Sequence, residues 1–78
     1  MIDAELTGRN IAHLRRRRMM TQLQLSETVN VSHQAVSKWE RGVALPDVET
    51  MLALSRLFCV SMEVLLLKDL TGLEDIEL

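Results

Sequence analysis

Between Thr21 and Gly42 the chain has to build two helices with almost nothing left over to join them. Thr21 followed three residues later by Gln24 is a capping-box signature, so a helix is predicted to start there. Leu25, Ser26 and Val29 fall on its inward side, and Ser26 is small enough to let another helix come close. Asn30 stands where the chain must turn sharply, and asparagine tolerates the left-handed conformation better than most residues with a side chain. Ser32 then caps a second helix that buries Val36 and Trp39 and stops at Gly42. The second helix also has an outward face of hydrogen-bonding side chains.

The flanking sequence reads as helix as well. Apolar spacing is three-and-four nearly everywhere, and no alternating run reaches strand length. A first helix begins between Asp3 and Thr7, buries Leu6, Ile11 and Leu14, and ends near Arg18. Pro46 and Asp47 open a fourth helix whose inward set is Val48, Met51, Leu52, Ser55 and Phe58. Ser61 caps a fifth that contains Val64, Leu65 and Leu66. The predicted fold class is therefore all-α, with five helices in residues 1–67. Residues 68–78 form an acidic tail that extends the fifth helix, docks as a separate turn or frays; Thr71-Gly72 argues against one straight helix to the end. His13 is expected on the surface, Met20 in the core, and Leu23 either packed on Met19 and Met20, the favoured reading, or part of a contact surface.

Seventy-eight residues supply one small domain with a marginal core. Cys59 has no second cysteine to pair with, and no Cys/His spacing suits zinc, so association with a partner is the remaining external support. No apolar run approaches the length of a membrane span and no signal-peptide pattern opens the chain, which reads as cytoplasmic. The net charge of −2 hides a polarised distribution. Through Leu45 there are seven Lys/Arg against four Asp/Glu, a net +3; from Pro46 onward two against seven, a net −5. Nucleic-acid affinity depends on local contacts to phosphate, so a polarised domain can bind DNA at this overall charge.

The sequence resembles the Xre family of lambda-repressor-like helix-turn-helix proteins. The resemblance runs from about Thr7 to Leu67. It rests on Leu14-Arg15, Thr21-Gln22 with Leu25, Val31-Ser32, the block Val36-Ser37-Lys38-Trp39-Glu40-Arg41-Gly42, Leu45-Pro46-Asp47, and Val60-Ser61 with Leu65-Leu66. It implies a five-helix domain that binds operator DNA as a twofold dimer, the third helix entering the major groove. His33, Gln34, Ser37 and Lys38 then become the base-contacting residues. Gln34 suits a bidentate pair with adenine, and Lys38 a guanine or a phosphate. Gln22, Arg18 and Arg41 become the phosphate contacts. Arg15 and Glu40 match the family's structural ion pair between the first and third helices. Arg16, Arg17 and Arg18 span most of a helical turn, so only one of them, Arg18, is assigned to DNA.

Two positions depart from the family pattern. Met19 and Cys59 each stand where glycine is usual. Either Met19 accepts a left-handed backbone at a cost of about 1 kcal/mol or the turn is longer here. Cys59 is expected to be a small half-buried filler without a basic neighbour to activate it.

The function expected from this reading is a sequence-specific DNA-binding transcriptional regulator, a repressor that binds a palindromic operator as a homodimer. The alternative is an antitoxin or protein-interaction adaptor on the same fold, motivated by the acidic, leucine-bearing tail, with a toxin or antirepressor as its partner. Neither reading needs a cofactor or metal. An enzyme is not expected, because there is no glycine-rich phosphate loop and neither His13 nor His33 has a nucleophile at a suggestive offset. At this length no residues remain for a sizeable ligand-binding domain.

Overall fold

The computed structural model describes residues 2–72. Among them are five α-helices and no strand: α1 Ala4–Arg17, α2 Gln22–Thr28, α3 His33–Glu40, α4 Val48–Phe58 and α5 Met62–Leu67, followed by a 3-10 turn at Leu70–Gly72. Each helix starts on a side chain that accepts a hydrogen bond from the backbone of its first turn: Asp3, Thr21, Ser32, Asp47 and Ser61. Such caps satisfy amide groups that have no partner inside the helix. At Thr21 the capping box is complete, with Gln24 N–H donating to the threonine hydroxyl at 3.0 Å and Thr21 N–H to the glutamine carbonyl at 2.8 Å. At Asp47 the bond from the Thr50 amide holds the carboxyl below its ordinary pKa.

The connections show why the helices stop. Met19, Asn30 and Cys59 all have positive φ, as does Gly42 at 77°. Asn30 (φ 63°) turns the chain between α2 and α3, and Val31 N–H then donates back to the Ser26 carbonyl at 2.9 Å. Met19 (φ 57°) and Cys59 (φ 58°) adopt the left-handed backbone without a glycine's freedom. The α1–α2 connection thus keeps the short form.

Ile11, Leu25, Val36, Trp39, Met51, Leu54, Phe58 and Leu65 form the core. Leu14, Met20, Val29, Val31 and Leu66 pack around it, partly buried. In α4 the inward face differs from the expected one. Met51, Leu54 and Phe58 are buried, whereas Val48 is 71% exposed and Leu52 40%. The helix is apolar on two overlapping faces, and the one that carries Leu54 meets the core. Leu23 and Met19 are also exposed, so Leu23 is not covered as expected.

His13 is buried instead of lying on the surface, and so is Leu70 beyond α5. The start of the tail is fastened to α1 by Asn10, itself fully buried. Its Nδ2 donates to the carbonyls of Leu65 (2.9 Å) and Lys68 (2.5 Å), and its Oδ1 accepts from Leu70 N–H at 2.9 Å. Of the open alternatives for the tail, its described part docks as a separate turn. The expectations for the rest of the tail, residues 73–78, lie outside the described residues.

The position of α3 against α1 is set by main-chain contact. A Cβ built on Gly8 would lie 2.0 Å from the Trp39 carbonyl oxygen and 3.1 Å from its carbon. Gly8 is therefore a close-approach residue inside a helix, where glycine otherwise costs about 1 kcal/mol relative to alanine. Gly8→Ala is expected to reverse that preference and destabilise the protein by about 2 kcal/mol or more, because backbone has to move. Urea denaturation followed by the fluorescence of Trp39 measures it; a stabilised variant would mean the helices do not approach this closely. Met19→Gly is expected to raise the melting temperature by several degrees, from relief of about 1 kcal/mol of left-handed strain in a residue 89% exposed. A calorimetric scan showing no rise would argue against strain at this corner.

Candidate nucleic-acid interface

Six side chains from α2, α3 and the residue just after α3 line one open groove: Gln22, His33, Gln34, Ser37, Lys38 and Arg41. The four residues assigned to base contact and two of the three assigned to phosphate are therefore brought together. His33, Gln34 and Lys38 are exposed, and Ser37 is half-buried. The Ser37 hydroxyl accepts a long 3.3 Å bond from Arg41 Nε, which holds the guanidinium near the groove. Arg18 lies outside this lining. Its Nη2 sits 3.9 Å from Cys59 Sγ, so the cysteine has a basic neighbour, contrary to expectation, and it is exposed instead of half-buried.

Behind the groove stands Glu40, at the last turn of α3. Arg15 Nε donates to its Oε2 at 2.6 Å and Arg15 Nη2 to its Oε1 at 3.0 Å. The two side chains are only 12% and 7% exposed. Arg15 uses its remaining fork on the Met20 carbonyl at 2.8 Å, so one guanidinium fastens α1, α3 and the α1–α2 turn. A planar fork with fixed donors is suited to this, as a lysine ammonium is not.

Glu40 has a further partner that the sequence did not reveal. Gln22 Nε2 donates to Glu40 Oε1 at 2.9 Å, and Gln22 Oε1 lies 3.1 Å from His33 Nε2. A continuous hydrogen-bonded chain thus runs Arg15–Glu40–Gln22–His33, from the interior to the groove. Gln22 was legible only as a helix-start residue near phosphate. An amide nitrogen carries two protons, and one remains after the bond to Glu40. The first turns of α2 and α3 meet at this groove, and helix starts favour anions through their amide groups and dipole.

The sequence pattern of the Helix-turn-helix family matches residues 11–65, which is most of this unit. The chain belongs to the Xre-type, lambda-repressor-like helix-turn-helix family. Among curated members, it is 36% identical to repressor protein C2 of Salmonella phage P22 over 70 residues, 90% of this chain and 32% of that protein. It is 39% identical to the transcriptional activator BcrR of Enterococcus faecalis over 56 residues, 72% of this chain and 28% of that one. The helix-turn-helix fold superposes on the crystal structure of the P22 c2 repressor in complex with synthetic operator 9T, with a TM-score of 0.78 and 38% identity, covering 82% of this chain and 97% of that chain. The chain spans from 28% to 49% of the length of the curated relatives it matches. These relatives are named as a repressor and a transcriptional activator. No described helix is long and apolar enough to cross a membrane.

Removing one partner of the helix-turn-helix ion pair leaves the other charge buried. Arg15→Met or Glu40→Leu alone is expected to cost about 3–5 kcal/mol, and the double variant less than the sum of the two. Urea unfolding of the four proteins closes the cycle, and strictly additive losses would show that the pair is not coupled.

Proposed function

We propose that this chain is a sequence-specific DNA-binding transcriptional regulator that acts as a repressor and binds a palindromic operator as a homodimer. The observation that carries the proposal is the groove along α3 where Gln22, His33, Gln34, Ser37, Lys38 and Arg41 converge. α3 is the recognition helix. His33, Gln34, Ser37 and Lys38 meet base edges in the major groove, with Gln34 suited to adenine N6 and N7 and Lys38 to guanine. Gln22, through its second amide proton, and Arg41 hold phosphate on either side. Arg18 adds a phosphate contact outside the groove and is the weakest of the three, because its guanidinium is turned to Cys59.

The basic half of the sequence supports this reading, and the acidic residues from Pro46 onward account for the negative total. Residues 1–67 carry the DNA-binding unit, and the acidic segment 68–78 serves dimerisation or a protein partner. Repression follows from occlusion of a promoter by two recognition helices in successive major grooves, about 34–36 Å apart.

Selection of bound duplexes from a random pool tests the whole reading and is expected to return two inverted half-sites about one helical turn apart. On the selected operator, Gln34→Ala is expected to lose about 1–3 kcal/mol of binding free energy and to relax the preference at one base step. An equal loss on operator and random DNA would falsify the base-reading role of Gln34. Recovery of single unpaired half-sites would remove the twofold dimer.

A further inference from the structure

The chain of hydrogen bonds that ends at His33 fixes more than its position. The Glu40 carboxylate, already accepting two bonds from Arg15, can only accept. The Gln22 atom that faces Glu40 Oε1 at 2.9 Å must therefore be the amide nitrogen, which decides the orientation of the side chain. With the nitrogen committed to Glu40, the atom facing His33 Nε2 at 3.1 Å is the carbonyl oxygen. A carbonyl oxygen has no proton to give, so Nε2 of His33 has to carry one. The opposite amide orientation would set the glutamine carbonyl against a carboxylate oxygen, leaving two acceptors in contact without a donor.

In a neutral imidazole one ring nitrogen is protonated and the other bears a lone pair. Nε2 is the protonated one here, so Nδ1 is an acceptor, and no hydrogen bond occupies it among the described residues. We infer that the Arg15–Glu40–Gln22 network holds His33 in its Nε2–H tautomer and thereby makes it a reader of exocyclic amino groups. In the major groove those are N6 of adenine and N4 of cytosine. The corresponding edges of guanine and thymine carry only acceptors, or an acceptor and a methyl group. Gln22 is a positioning residue in this scheme, and the specificity of His33 is written in the interior of the protein. The inference rests on the DNA-binding reading for its readout, but the tautomer is a property of the free protein.

The experiment has two arms. In the first, two-dimensional 15N–1H spectra of the imidazole rings are recorded on the full chain without DNA, at a pH where His33 is neutral. The wild type is expected to show a protonated Nε2 and a lone-pair-bearing Nδ1 at His33. Gln22→Met, similar in size and unable to accept in the same way, is expected to move His33 to a mixture of the two tautomers. A protonated Nδ1 in the wild type, or an unchanged spectrum in Gln22→Met, would overturn the lock.

In the second arm, the operator position whose preference disappears in His33→Ala is identified by duplex selection. Every base pair carries one such amino group in the major groove, adenine N6 or cytosine N4, on one strand or the other. Replacing the base by an analogue lacking only the amino group is expected to weaken wild-type binding about tenfold and leave His33→Ala unchanged. No effect of the analogue would overturn the reading of amino groups. A chain that bound no duplex would instead remove the DNA-binding function, with the first arm still deciding the tautomer.

Discussion

One buried guanidinium–carboxylate pair organises this domain. Arg15 and Glu40 join the end of the first helix to the end of the third, and Arg15 also holds the Met20 carbonyl in the turn between the first two. The charges are almost fully removed from water, and such a pair is tolerable because each of the three guanidinium nitrogens donates a hydrogen bond. It does not have to supply much net stability to be decisive. An arrangement of these helices that separated the pair would strand two charges in the interior, so the pair selects one arrangement among several that the apolar residues alone would permit.

The same carboxylate reaches the surface through Gln22, which gives the interior a say in the chemistry of the groove. Asn10 performs an analogous task on the opposite side of the first helix. It gathers the carbonyls of Leu65 and Lys68 and the amide of Leu70, so the segment after α5 is fastened to α1 by a side chain that is itself buried. The small core is thus supplemented by two polar hubs whose donors and acceptors are matched, which is the condition for buried polar groups to add order instead of cost.

Most of the architecture was legible because local chemistry and apolar spacing agreed. Thr21 with Gln24, Ser32, Asp47 and Ser61 marked helix starts directly, and Asn30 marked the turn. The reading of α4 was right at Met51 and Phe58 and wrong at Val48 and Leu52, because Met51, Leu52, Ala53 and Leu54 are consecutive and apolar, and only the neighbouring helices decide which edge of that run is covered. His13 was misplaced because the turn after α5 packs on α1 and brings Thr71 beside it, from far away in sequence. Gly8 carried a usable signal, since a glycine inside a helical pattern asks for a packing reason, and Trp39 supplies it. The groove residues were legible as one face of a helix, whereas the bond from Gln22 to His33 depends on Glu40 standing between two other elements and left no trace in local spacing.

The near-contact of Gly8 with the Trp39 carbonyl has a consequence for how such a domain can diversify. The seat of the third helix is defined by peptide groups, whose shape is the same whatever side chains project from the far side. Gln34 and Lys38 can therefore be exchanged with little disturbance to the seat, and a lineage can acquire new binding preferences while its scaffold stays under separate selection. His33 is the exception, because its ring is wired to the scaffold; among the groove residues it should be the slowest to drift, and Gln22 should change only in its company.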